Sequence, residues 1–230
     1  MSIIMVGSSA RFQAPSSYSA AAQGYISAVE AADGQQLETA VRDAYAAFID
    51  GLISDGLLGT SGGVISQAAS LIKASSIMAG ARTLAGALVP LVGPAPTNNN
   101  FLSTDYSRKI GLKGNGSSKY LSINRNSSAD PQNSSHLAIY KNDNVTDTNP
   151  YWIGAATAGG TLVNAVGRNA FYSNSGTPES TTTSVALGLH GVSRGSSSIV
   201  SRKRPGSAAA NYSDSSTGVI SLPAFVFNIN

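Results

Sequence analysis

The run TNNNFLSTDYSRKIGLKGNGSSKYLSINRNSSADPQNSSHLAIY, residues 97–140, divides the chain into two unlike parts. Before it the sequence is rich in alanine and reads as helix and tether; after it, short β-prone segments alternate with Gly, Ser and Asn. Residues 110–121 read as a strand, a glycine turn and a second strand. Gly114-Asn115-Gly116 supplies residues that accept positive φ at little cost, as a tight two-residue hairpin turn requires. Leu112, Tyr120 and Leu121 supply side chains for a sheet face. The expectation is the founding hairpin of a β-sandwich.

Downstream, further strands are expected at 135–141, 151–156, 170–173, 184–190, 197–202, 207–212 and 222–227. Turn clusters such as Asn142-Asp143-Asn144, Gly159-Gly160, Arg194-Gly195 and Pro205-Gly206 separate them. Short strands at this spacing, with helices only on the N-terminal side, predict a mainly β chain forming an antiparallel β-sandwich or jelly roll.

Upstream, residues 1–32 read as an N-terminal arm with spaced anchors at Phe12, Tyr18 and Tyr25. A chain end of this composition is seldom fixed without a partner. A helix is expected over 35–54, with Asp33 as its cap and Gln36 three residues on. Leu37, Val41, Tyr45, Phe48 and Leu52 recur at spacings of four and three and make one apolar stripe. Asp55-Gly56 and the run 59–63 then break it. A second helix is expected over 64–78, carrying Val64, Ala68, Leu71 and Ile72 on one face. Neither helix would stand alone in water, so each packs within the chain or in a bundle with neighbouring chains. Residues 81–98, with their glycines and prolines, read as an apolar linker lying on protein surface, and Arg82 within it as a structural hydrogen-bonding residue. The resulting division is arm 1–32, helical anchoring or oligomerisation region 33–80, linker 81–98 and sandwich 99–230.

Composition sets outer limits. The chain has 230 residues, 12% of them charged, and a net charge of +3. That is about half the usual charged share, and a surface polar through hydroxyls and amides suits permanent assemblies and carbohydrate-facing β proteins. So small a net charge gives no long-range pull on nucleic acid. There is no cysteine and hence no disulfide framework, zinc knuckle or thiol chemistry. The apolar stretch 77–92 contains Arg82, Thr83 and Pro90 and falls short of a membrane span, and residues 1–7 lack the basic start of a signal peptide.

The order of helix, apolar segment and hairpin also carries a resemblance. Residues 100–121, NFLSTDYSRKIGLKGNGSSKYL, look like the opening of concanavalin A-like (laminin G-like) domains in structural proteins of tailed bacteriophages. Those open with a strand, a G-x-G-S-x-K/D-Y-L hairpin and a central strand resembling His136-Leu-Ala-Ile-Tyr140. The run GARTLAGALVPL at 80–91, Asn124-Arg-Asn126, Asp130-Pro-Gln132 and the basic hairpin 201–204 look similar too, so the resemblance spans about residues 36–228. It implies a virion location and a tail fibre or appendage component that docks on other virion proteins through its N-terminal region. It also implies a homo-oligomer, a trimer by analogy, and contact with host-surface glycan. A capsid decoration or head fibre protein and a glycan-degrading enzyme are the alternatives. Relatives of this type carry further strands after a segment like Phe225-Val-Phe-Asn228, so a truncated chain is also an expectation.

The residues themselves give little chemistry. Retaining glycanases need two close carboxylates, whereas Glu179 is the only glutamate after residue 99 and reads as part of a turn; Asp105, Asp130, Asp143, Asp147 and Asp214 are scattered in expected loops. His136 and His190 fall in two different strands without metal or triad spacing. Gly114-Asn115-Gly116 lacks the Lys-Ser/Thr ending of a phosphate loop. Asn124, Asn126 and Asp130, or Asn142-Asp143-Asn144, offer oxygens for Ca²⁺ but match no fixed loop spacing. The reading is therefore a protein without enzymatic activity, metal or cofactor. Trp152, with Tyr151, is the best sequence candidate for stacking on a saccharide, against the plainer role of filling the sandwich core.

Overall fold

Helix α1 (Ala20–Asp33) begins where Ser19 Oγ accepts the Ala22 N–H at 3.1 Å, a serine N-cap. It ends at Gly34, whose φ of 68° lets the chain turn and satisfy the last carbonyls. The computed structural model describes residues 18–115, 117–142, 151–157, 163–167, 170–175, 179–180 and 186–227. Phe12, Gly116, Asp143, Asn144, Asp147 and Gly159-Gly160 lie outside the described residues. The described part of the segment read as an arm is thus mostly helix, because Ala21, Ala22, Tyr25, Ile26 and Val29 fall on one buried face.

Helix α2 (Thr39–Ser54) runs back along α1: Arg42, near its start, donates to Glu30 at 2.7 Å, and Asp50, near its end, accepts from Ser19 at 2.5 Å. Its N-cap is Glu38, without a side-chain cap, so the expected capping role of Asp33 and Gln36 is not realised. Leu37 and Tyr45 are buried and Val41 and Leu52 partly so, but Phe48 is 50% exposed and the inward position goes to Ile49. At 100° per residue the buried face passes through 45, 46 and 49, and position 48 falls beside it.

The helix expected over 64–78 is absent. Strands β1 (Gly59–Ser61) and β2 (Val64–Ser66) form a hairpin whose two-residue turn is Gly62-Gly63, both at positive φ, the combination a type I′ turn needs. Ser70 is buried, donates to the Ser66 carbonyl at 2.6 Å and accepts the Gly59 N–H at 2.9 Å. Hydroxyls that bond locally to backbone compete with the helix ladder. Leu71, assigned to the apolar face, is 72% exposed.

The segment expected as a surface linker is core. Between β3 (Ser75–Ser76), which pairs with β4 (Pro90–Val92), lies the short helix α3 (Leu84–Ala87). Ala81, Ala87, Leu91 and Val92 are buried in one cluster with Tyr25, Ile26, Val29, Tyr45 and Ile49 of α1 and α2.

The quoted run also resolves differently from its reading. After β5 (Thr97–Asn99), strands β6 (Tyr106–Ser107) and β7 (Gly111–Leu112) pair with each other. The next strand, β8 (Tyr120–Asn126), pairs with β5 instead of β7, so residues 110–121 are not a hairpin. Gly114 is glycine for a different reason: a Cβ there would stand 2.7 Å from Cβ of Phe227. Asn115 Oδ1 accepts the N–H groups of Ser117, Ser118 and Lys119, a side-chain turn that replaces backbone pairing.

The remaining strands are β9 (Ser135–Lys141), β10 (Tyr151–Ala156), β11 (Val163–Gly167), β12 (Ala170–Ser175), β13 (Glu179–Ser180), β14 (Gly188–Arg194), β15 (Ile199–Lys203), β16 (Ala210–Ser213) and β17 (Pro223–Val226). β9 and β10 match their expected bounds, β14 begins four residues later than expected, and β11 was not anticipated. Glu179 lies in a strand, not a turn. Among the described residues the strands form a seven-stranded antiparallel sheet in the order β13-β12-β11-β10-β17-β8-β5 and a four-stranded one in the order β16-β15-β14-β9. β17 therefore sits inside the larger sheet, between β10 and β8. Trp152, Ile153, Val166 and Phe171 of the larger sheet share a cluster with Val192, Val200, Leu137 and Ile139 of the smaller. A second cluster, Phe101, Leu112 and Leu121 with Leu84, Leu88 and Phe227, joins the helical part to the larger sheet.

Candidate functional site

Trp152 is 5% exposed, and its ring meets His190 edge-on at 4.7 Å while the Lys141 ammonium lies 5.0 Å from its centroid. A ring so enclosed presents no face to a saccharide, and the core role prevails. The register of β10 shifts between Tyr151 and Ile153, and Trp152 joins Ile153 in the cluster facing the smaller sheet. Tyr151 is half-buried and lies 6.1 Å from Tyr172 across β11. The two adjacent residues are not one site.

The anchoring residues mostly turn inward too. Tyr25 and Tyr45 meet at 5.4 Å in an edge contact, and Tyr45 donates to the Ala79 carbonyl at 2.5 Å. Burial pushes the Tyr45 hydroxyl up to about 12, with Asp33 adding to the rise. Tyr18, Leu37, Val41 and Leu52 pack in the same intrachain cluster; Phe48 alone of the described set is largely free.

Two polar constellations escaped the sequence reading. In the first, the carboxylate of Asp33 accepts the N–H groups of Arg82 (2.7 Å) and Thr83 (2.8 Å) and the Thr83 hydroxyl (2.7 Å). Thr83 Oγ1 in turn accepts the Gly86 N–H at 3.2 Å and caps α3. Gly86 has no alternative here, since a Cβ would overlap Asp33 Oδ1. Beside it Glu38 pairs with Arg108 and, at 2.9 Å, with Arg82. The hydrogen bond from Arg108 pulls the Glu38 carboxyl down to about 2. Arg82 is structural, as expected.

In the second, Arg194 is 1% exposed and fully engaged: Nε donates to the Ser173 carbonyl at 2.7 Å, one terminal nitrogen to the Asp214 carbonyl at 2.7 Å and the other to Asp214 Oδ2 at 2.6 Å. Ser175 donates to the other Asp214 oxygen at 2.8 Å. This buried pair ties β12, β14 and the segment after β16 together. Arg194-Gly195 reads as a turn in the sequence, whereas Arg194 closes β14, and no local pattern signals the pair.

Other candidates disperse. His136 points outward from β9, whereas His190 is fully buried and its Nε2 lies 2.9 Å from the Ala186 carbonyl; they occupy opposite faces and share no ligand. Among the described residues no group of three His, Asp or Glu side chains is placed to hold a metal. Asn124 spends its amide on Ala95 and Thr97, and Asp130 pairs with Arg125. Arg202 lies 4.3 Å from the Tyr212 ring and Arg204 5.0 Å from the Phe171 ring, so the basic run 201–204 is partly folded onto aromatics.

The outer face of the four-stranded sheet is open to solvent. Tyr140 is 71% exposed and stands opposite Leu189, 46% exposed, in the β9–β14 register. Next along that face come Ala138, Gly191 and Lys203 in one cross-strand row, then Ser193, Ser201 and Asn211 with His136 in another. Side chains at alternate positions share a face, which places these groups together.

Comparison with family models, with curated proteins and with solved structures finds no match. The fold and its exposed groups define a mainly β protein of antiparallel sheets with three helices among the described residues.

Proposed function

We propose that this chain is a non-enzymatic structural protein of a tailed-bacteriophage virion, a tail fibre or appendage component with a concanavalin A-like jelly roll. Its N-terminal region docks on other virion proteins and its β layers are displayed, with host-surface glycan as the target. The protein acts as a homo-oligomer, a trimer by analogy with projecting appendages.

One observation supports this reading above the others. The two stretches that carry the phage resemblance, 80–91 and 100–121, are separated by eight residues in sequence but are knit together in space. Gly80 N–H donates to the Arg108 carbonyl at 2.9 Å, Arg108 Nε returns to the Gly80 carbonyl at 3.2 Å, and Tyr106 donates to the Ala81 carbonyl at 2.8 Å. Residues that resemble one family in two places and bond to each other form one physical unit, which chance similarity in alanine- and serine-rich sequence would not require.

Immunogold electron microscopy of phage particles tests it. Label on the tail or its appendages supports the reading, label on the head favours the decoration alternative, and particles without label overturn both. Sedimentation of the purified full chain should show an oligomer; a monomer would remove the appendage role.

A further inference from the structure

We propose that the outer face of the four-stranded sheet is a binding surface for an acidic polysaccharide, with Tyr140 as the stacking platform and Lys203 as the charge contact. The inference rests on the virion reading only for where the glycan is met, not for the site itself.

The platform is unusual for its exposure. A tyrosine 71% open to water beside a leucine at 46% is apolar surface that a folded chain gains nothing by displaying. A tyrosine combines a flat apolar ring with a polar tip, which suits the alternation of C–H faces and hydroxyls on a pyranose. The neighbouring row supplies a floor: a Cβ on Gly191 would lie 3.3 Å from Cβ of Ala138, so the sheet is low there and a sugar ring can lie close to the backbone. Beyond the floor, Ser201 donates to Asn211, leaving the Asn211 amide N–H₂ as a donor directed from the same face.

Charge selects the acidic class. None of the strands β9, β14, β15 and β16 contains an aspartate or glutamate. Lys203 points outward from β15 opposite Gly191, and its ammonium donates to the Ser207 carbonyl, which anchors it while two of its three protons stay available. Tyr140 and Lys203 are two strands and two residues apart, about 10 Å across the sheet and about 7 Å along it. That span fits an oligosaccharide lying diagonally over the floor, not a single sugar.

The full-length protein is assayed against immobilised tetrasaccharides of a hexuronic acid and of a neutral glucan, with a single-stranded DNA oligonucleotide of matching charge as competitor. The uronate is expected to bind, with affinity falling as salt rises. Tyr140→Ala should weaken binding at least tenfold while Tyr140→Phe retains it, and Lys203→Gln should weaken the uronate at least threefold without changing the weak binding of the glucan. Tyr140 is exposed and the Lys203 ammonium bonds at the surface, so unfolding of all three variants should match the unaltered chain. Absence of uronate binding, indifference to Tyr140→Ala, equal competition by DNA, or a change of oligomeric state on Tyr140→Ala would each overturn the proposal. Uronate binding by a protein that immunogold does not find on particles would defeat the virion reading alone; particle label without uronate binding would defeat this one alone.

Discussion

Replacing Asp33 by alanine should be among the most damaging single changes in the helical part. The substitution strips the acceptor from the Arg82 N–H, the Thr83 N–H and the Thr83 hydroxyl. The hydroxyl can reorient towards other acceptors, but two backbone donors are left without a partner beneath α1. At about 1–3 kcal/mol for each buried donor left unsatisfied, the loss should total about 3–5 kcal/mol once some water enters the vacated site. Asp33→Asn keeps one oxygen but turns an N–H₂ towards a backbone donor, and should cost about 1–3 kcal/mol. Gly86→Ala should be comparably damaging on its own, because its Cβ would overlap the same carboxylate. In the double variant that overlap disappears, so the paired cost should fall short of the sum of the single costs by about 1 kcal/mol or more. Urea unfolding followed by far-ultraviolet circular dichroism gives all four numbers. A loss below about 1 kcal/mol for Asp33→Ala, or strict additivity with Gly86→Ala, would refute the assignment of Asp33 as the hub.

Arg194→Met should cost about 3–5 kcal/mol, since it strands the Asp214 carboxylate in a buried site; a replacement of both partners by apolar residues should cost less, again by urea unfolding. Phe48→Ser should change stability by no more than about 0.5 kcal/mol in the monomer, whereas Tyr45→Ala should cost about 3–5 kcal/mol; if Phe48→Ser alters sedimentation, this residue is the one anchor of the stripe that faces another chain. Acid should weaken the fold through Glu38 and Asp105. Glu38 titrates at about 2 in the folded chain against an ordinary 4.5, and the hydrogen bond from Lys119 lowers Asp105 likewise. Their folded values lie below the unfolded ones, so the contribution is complete above the unfolded value and is lost as pH falls from there towards 2. Glu38→Gln should flatten the melting-temperature profile over that interval, and an unchanged profile would exclude the Arg108 pair as its source. Trp152→Ala should lower the melting temperature by several degrees, while Tyr140→Ala leaves it in place.

Which parts of this were legible follows from the range of the forces concerned. Short β-prone runs bounded by turn clusters placed β9 and β10 within their bounds, and four-and-three spacing located α2, because both signals are local. The 64–78 segment misled because Val64, Leu71 and Ile72 keep helical spacing while Ser66 and Ser70 give the backbone other partners, and only packing decides between them. Gly62-Gly63 and Gly114-Asn115-Gly116 carry similar turn chemistry, yet only the first closes a hairpin. Trp152 and Tyr140 differ little as letters in a strand. Their exposure depends on which face of each strand meets the other sheet.

The sequence by itself determined a mainly β chain with helices at its N-terminal side, since periodicity and turn residues are properties of neighbouring positions. Only the tertiary structure decided that residues 81–92 are core and not linker, that Asp33 holds the Arg82 and Thr83 N–H groups leading into a helix fifty residues away, and that Arg194 and Asp214 form a buried pair. Those outcomes depend on groups distant in the chain desolvating one another, and no local pattern records which partner a buried charge or an orphan N–H will meet. The quoted run 97–140 shows both sides: β9 and the start of β8 were readable, β5 and β6 were not, and the pairing of β8 with β5 and β17 was settled by the sheet they joined.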